Sequence, residues 1–267
     1  MPLNPKQSDS SEEIRSKKSS ATVEIIPVLG LPKIAPGDNL AELILRTMEN
    51  NRQNLRKGDV VVVAHTIVSI AEGKLVQSSD IIISSKAERL ALSNDRKPQK
   101  IQTALNEADE IIREDPVLIT RTKQGFITDM SGVDESNAPI GYYVLLPEDP
   151  DKSADEINKL ISKMKEFNVP VIIADTQGRP WRKGAVNLAI GVAGMSPFIV
   201  NAGQRDLYGR ELKSSLVCIA DELAAASELV MGQADEGIPV AIIRGVDWVD
   251  SEESARDILR KRTEDLF

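Results

Sequence analysis

Two carboxylates mark the places where this chain could do chemistry. Asp134 lies in the string GVDESN at 132–137, and Asp175 opens the string DTQGRPWRKG at 175–184. Each stands where an apolar run gives way to a turn rich in Gly, Ser, Asn and Arg. A third unusual string, RDLYGREL, occupies 205–212. Carboxylates at strand ends, with arginines nearby, suit a divalent cation bound to phosphate, which points to phosphoryl transfer. Each string also has a plainer reading. Asp134 can close an Asx turn, and Asp175 can cap a helix. Arg179, Arg182 and Lys183 can form a solvated loop or a clamp for phosphate or carboxylate. Arg205, Asp206 and Arg210 can form an ion network around Tyr208. Two such aspartates in a chain with no competing site favour a shared metal.

The rest of the composition narrows the chemistry. The 267 residues contain one histidine, His65, and one cysteine, Cys218, so neither an internal disulfide nor a His- or Cys-built metal site is available. A metal must take oxygen ligands, which favours magnesium or manganese. No G-x-x-x-x-G-K-[ST] string exists, and no G-x-G-x-x-G follows a strand. A nucleotide would therefore use another cradle, and the Gly-bounded loop MGQADEGIP at 231–239 is one whose backbone can approach phosphate. His65 falls in an apolar run read as strand, which argues against a Ser-His-Asp arrangement. The net charge of -8 makes nucleic acid a poor partner. No apolar run reaches the length of a membrane span. The polar, Ser-rich residues 1–21 read as a disordered tail, not a secretory signal, which places the protein in the cytoplasm.

The elements that must position these residues read as a mixed α/β, α+β chain. Order begins near Thr22 with strand TVEIIPVLGLP. A helix follows Asp38, with Leu40, Leu43, Ile44, Thr47 and Met48 at helical spacing. VVVVAHTIVSI reads as a strand covered on both faces. Pro98 opens an amphipathic stretch through Ile101, Leu105, Ala108, Ile111 and Ile112. VLITRT and GFITDM form a hairpin turned at Lys123-Gln124-Gly125, and GYYVLLP is a further strand. The acidic stretch 148–156 divides a first part, 22–150, from a second, 151–267. Ser153 and Glu156 suggest a capping box, opening a helix with Ile157, Leu160, Ile161, Met164 and Phe167 inward. VPVIIAD is a buried strand ending at Asp175. A helix with Leu216, Ile219, Leu223, Ala226 and Val230 inward stops at Gly232. Strand PVAIIRG and a last helix from Ser251 complete the chain.

From about Val23 to Val246 the chain resembles the gamma-glutamyl ligases of coenzyme F420 biosynthesis. The likeness is carried by EIIPVLGLP, the VSIAEGK region, GVDESN, DTQGRPWRKG, RDLYGREL, IADELAAASELVMG and IPVAIIRG, in that order. The resemblance implies a two-part α+β fold and a homodimer with its active site near the subunit contact. It implies a ligase that uses GTP to join L-glutamate to a deazaflavin precursor, F420-0, through an acyl phosphate. It implies two magnesium or manganese ions, and potassium as a further ion. Asp134 and Asp175 then match ligands of one metal, and Thr176 and Gln233 ligands of the second. Pro32, Lys33, Ile34, Ala35, His65, Thr66, Ile70, Asn137 and the run Met231, Gly232, Gln233, Ala234, Asp235, Glu236, Gly237 and Ile238 match GTP-binding stretches. Arg179 and Arg205, with Arg182 and Tyr208, are candidates for phosphate or acidic substrate. Ile70 stands where the family usually has lysine, so Lys33 or Lys74 must substitute. Otherwise the chain is a paralogue for another carboxylate, or a non-catalytic nucleotide- or deazaflavin-binding protein.

Overall fold

The computed structural model describes residues 22–266; the tail expected at 1–21 lies outside them. In chain order the strands are β1 (Glu24–Pro27), β2 (Val60–Ala64), β3 (Leu75–Gln77), β4 (Ala108–Arg113), β5 (Ile119–Thr122), β6 (Ile127–Asp129), β7 (Tyr142–Val144), β8 (Val171–Arg179), β9 (Arg182–Ala193), β10 (Phe198–Val200), β11 (Leu216–Cys218) and β12 (Val240–Arg244). The helices are α1 (Leu40–Asn50), α2 (His65–Ala71), α3 (Ser85–Asn94), α4 (Pro98–Glu107), α5 (Pro150–Lys165) and α6 (Ile219–Met231). The architecture is α+β.

A five-stranded sheet in the order β1-β12-β2-β8-β9 forms the centre. Only β2 and β8 run parallel; their neighbours are antiparallel. The sheet takes β1 and β2 from before the acidic stretch at 148–156 and β8, β9 and β12 from after it. Alternation divides its side chains between two layers. Val61, Val63, Val171, Ile173 and Ile242 join the core under α1 and α5, while Val60, Val62, Ile172 and Ile243 join Leu223 and Ala224 of α6. Both faces are covered, which explains the unbroken valine run of β2. A third core packs α3 and α4 against Leu118, Met130, Val133 and Tyr143.

Several local expectations need correction. The run at 60–70 is two elements: the strand stops at Ala64 and α2 begins at His65. An apolar run buried throughout has no period that separates strand from helix. The amphipathic stretch after Pro98 also divides, because α4 ends at Glu107 and Ile111 pairs in β4 with Thr120 of β5. Helix α5 starts at Pro150 with Asp149 as its cap, accepting from Lys152 N, so Ser153 is not the cap. The Ser153 hydroxyl instead donates to Glu72. Leu160 and Met164 of α5 are exposed rather than inward. Strand β8 continues past Asp175 to Arg179, and residues beyond Ser251 form short 3-10 turns.

Candidate functional site

Sheet topology gathers the chemistry at one end. Strands β2 and β8 are parallel with Ala64 opposite Ala174, so the next residues, His65 and Asp175, arrive side by side. His65 Nε2 lies 3.2 Å from Asp175 Oδ1, with both side chains buried. Strand β12 is antiparallel to β2, and Ala64 N donates to Pro239 O at 2.8 Å. The loop that precedes β12 is thereby held over the same end. Strand β1 is antiparallel to β12, which brings the segment after it, including Pro32–Ile34, to that end too. A cavity of about 790 Å³ opens there.

Asp134 reaches the cavity by a different route. It bridges Val144 through two backbone hydrogen bonds of 2.9 Å, next to β7. Before it, Met130, Ser131 and Gly132 all have positive φ (50°, 54° and 68°), and Asn137 follows at 52°. Such conformations cost non-glycine residues about 1–3 kcal/mol each and persist where surroundings enforce them. Here Ser131 is buried and bonded, its Oγ donating to Ala104 O and meeting Thr120 Oγ1, both at 2.7 Å. A Cβ on Gly132 would lie 2.8 Å from Leu146 Cγ. Asp134 Oδ1 accepts from Glu135 N and Ser136 N, and Ser136 Oγ approaches both its oxygens. The Asx turn and the cavity-facing carboxylate are therefore one feature: the turn aims the side chain.

Both aspartates bear on the charge of His65. Burial, the largest influence, lowers the His65 pKa, but the charge and hydrogen bond of Asp175 and the charge of Asp134 together raise it. Both aspartates thus act on one imidazole. Asp175 Oδ2 also accepts from Gln177 Nε2 at 3.2 Å. Thr176 Oγ1 donates to Asn187 Oδ1 at 2.6 Å and accepts from Gln233 Nε2 at 2.7 Å. Among the described residues no three His, Cys, Asp or Glu side chains form a ready metal site. A divalent cation here would need neutral oxygens from Thr176, Asn187 or Gln233, or phosphate oxygens, beside the aspartates. That all-oxygen donor set fits magnesium or manganese.

Of the sequence-predicted residues, Asp134, Asp175, Thr176, Pro32, Lys33, Ile34, His65, Thr66, Ile70 and Asn137 line this cavity. So do Met231, Gly232, Gln233, Ala234, Glu236, Gly237 and Ile238. Ala35 and Asp235 are not among its lining residues. Arg179, Arg182, Arg205 and Tyr208 are not either. Arg179 is tied to Lys183 O and Gly184 O across the β8–β9 turn. Arg205 bonds Gly209 O, while Asp206 accepts from Tyr208 N and Arg210 N, so the third string is an exposed turn, not an ion network.

Sequence reasoning missed Arg96, Lys100, Asn187 and Glu228, which also line the cavity. The two cations sit near the α3–α4 connection with no motif to announce them. Lys74, one proposed substitute for the absent lysine, pairs with Glu148 at 2.6 Å and does not line the cavity. Lys33 does, and Ile70 presents a buried aliphatic side chain there.

Comparison with known proteins gives the family. The family model described as F420-0:Gamma-glutamyl ligase matches residues 29–245. The coenzyme F420:L-glutamate ligase of Methanopyrus kandleri is 45% identical over 251 residues, 92% of this chain and 98% of its own length. The ligase of the same name from Methanothermobacter thermautotrophicus is 43% identical over 248 residues, with 92% and 98% covered. That from Archaeoglobus fulgidus is 38% identical over 245 residues, with 92% and 96% covered. By family model and by relatives alike, the chain belongs to the F420-0:gamma-glutamyl ligase family.

Proposed function

We propose that this chain is an acid–amino-acid ligase that uses GTP and divalent metal to join L-glutamate to the deazaflavin precursor F420-0. The observation that carries the metal and nucleotide part is the meeting of Asp134 and Asp175, 41 residues apart in sequence, at one cavity. The γ-phosphoryl group of GTP passes to a carboxylate oxygen of the acceptor, and GDP leaves. The amine of glutamate then attacks the acyl carbon, loses a proton, and expels phosphate. Divalent ions at Asp134 and Asp175, and at Thr176 and Gln233, would offset the negative charge of the phosphates.

The chain's own residues do the rest. His65 and Gln177 hold Asp175 in place, and Ser136 holds Asp134. The segments 32–34 and 231–238 form the nucleotide walls. Lys33, Arg96 and Lys100 supply positive charge to the cavity rim, where anionic substrates must enter. The reading places the protein in the cytoplasm as a homodimer. Trp181, Leu207 and Tyr208 are 75%, 94% and 89% exposed on the two arginine-bearing turns, the kind of surface that a second copy covers. Sedimentation at a dimer mass is the expected result.

The direct test incubates the full chain with GTP, L-glutamate, F420-0 and Mn²⁺ or Mg²⁺. GDP should form, and a glutamylated product should appear by mass spectrometry, only when both substrates are present. Absence of that product with either metal overturns the proposal. The apolar Ile70 in the cavity wall favours a second reading, an acceptor acid other than F420-0; turnover with such an acid and none with F420-0 would establish it.

A further inference from the structure

In the last turn of α6, Glu228 has a carboxylate that the folded chain leaves half used. Its Oε1 accepts from Gln233 Nε2, whereas Oε2 is buried with no partner. A buried carboxylate oxygen without a donor is costly, so its retention asks for an explanation. The same Gln233 nitrogen donates to Thr176 Oγ1 at 2.7 Å, and Thr176 donates to Asn187 Oδ1 at 2.6 Å. One amide nitrogen therefore joins a hydroxyl oxygen to an anionic one. A small cation joins two oxygens in the same way and with more charge. Which end of an amide faces its partners follows from the partners present. With a cation between them, the Gln233 amide turns over and offers its oxygen.

Charge decides the assignment. Thr176 and Gln233 are neutral, and a hard divalent ion held by neutral protein donors alone is held weakly. Glu228 lines the same cavity, bonds the same glutamine, and keeps one oxygen free. We infer that Glu228 is the charged protein ligand of the second divalent ion, compensating for the neutral amide at position 233. The inference rests on the metal- and GTP-dependent reading above.

The test counts ions directly. The full chain is titrated with Mn²⁺ at saturating GTP, without acceptor or glutamate. Free Mn²⁺ is followed by electron paramagnetic resonance against a blank of GTP alone. The unaltered chain should bind two ions. Glu228→Gln should weaken the looser ion by at least about tenfold, the worth of one charged contact, and leave the tighter one unchanged. Adding Gln233→Glu to that variant should restore the loss. A carboxylate that merely props Gln233 is replaced well by glutamine, so two ions held within about twofold of their original affinities overturn the inference and leave the ligase reading standing. If the unaltered chain binds no manganese beyond the GTP blank, the metal reading fails, and this inference with it. Glu228→Asp serves as a second variant should Glu228→Gln not fold. It keeps the charge on a shorter stem and should weaken only the looser ion; no change in either overturns the inference.

Discussion

The string at 175–184 begins in one environment and ends in another. Asp175 and Thr176 are buried or half-buried in the central sheet and face the cavity. Arg179, half-buried, and exposed Arg182, a few residues on, sit at a turn outside the cavity, as do exposed Arg205 and Tyr208 of the third string. The first group is fixed by parallel register, a bulge after Ile173 and the His65 contact. The second is held by turn hydrogen bonds and short β pairings, Arg179 with Arg182 and Arg205 with Glu211. A motif's continuity in sequence therefore does not make it one functional unit. A rigid sheet end can position reacting groups closely, while exposed turns serve contacts that need less precision or another copy of the chain.

That contrast can be broken or sharpened by substitution. The largest effect should come from Asp134→Asn or Asp175→Asn. Either should lower GDP formation by at least about 1,000-fold, roughly 4 kcal/mol of barrier. For Asp134→Asn the melting temperature should stay the same or rise in the metal-free protein, because two converging carboxylates repel; Asp175→Asn also removes the charge beside buried His65 and should melt lower. Unfolding of Asp134→Asn would show that the turn, not the metal, needs the aspartate.

Next comes Gly232→Ala. Gly232 has φ +69°, and a Cβ there would lie 2.3 Å from the Glu236 carboxylate carbon. The positive φ strains any residue with a Cβ and the Glu236 carboxylate must swing away, so on the proposed GTP reading the KM for GTP should rise about tenfold or more, with a smaller change in kcat. A normal KM would take this loop out of the nucleotide wall.

Ile70→Lys probes the cavity wall from the other direction. One charged hydrogen bond to phosphate is worth about 1.5–3 kcal/mol, so GTP affinity measured by calorimetry should improve about tenfold. Unchanged affinity would mean that Lys33, Arg96 or Lys100 already fills the role.

The smallest effects should follow Arg179→Ala and Arg205→Ala, each less than about tenfold in kcat/KM, because neither lines the cavity. A loss as large as that of Asp134→Asn would show that these turns reach the reaction centre of a second copy.

Much of this was legible in the residues, and the illegible part has physical causes. The turn-prone GVDESN string and the apolar run before Asp175 marked both carboxylates. The Gly-bounded loop marked one wall of the cavity. Helix α6 and its stop at Gly232 followed from apolar spacing, but the helix begins at Ile219: Leu216, read as its first inward residue, is exposed and pairs with Val200 in β11. What hid was the passage from β2 to α2, since all of Val60–Ile70 but half-buried Ala64 and Thr66 is buried and the run carries no period. Hence His65, read as a packed strand residue, emerged as the helix-opening partner of Asp175. Glu228 was hidden because one acid on an amphipathic helix looks like any solvated residue; only its neighbours Gln233 and Thr176 distinguish it. Arg96 and Lys100 were hidden because tertiary packing, not spacing, turns the α3–α4 connection toward the cavity.

The central claim is that Asp134 and Asp175 together hold a divalent ion against the nucleotide phosphates. Anomalous diffraction at the manganese edge, from crystals grown with Mn²⁺ and GDP, tests it most directly. The account predicts an anomalous peak bonded to a carboxylate oxygen of each aspartate and to a phosphate oxygen. A nucleotide seated in the cavity with manganese touching neither aspartate would contradict it.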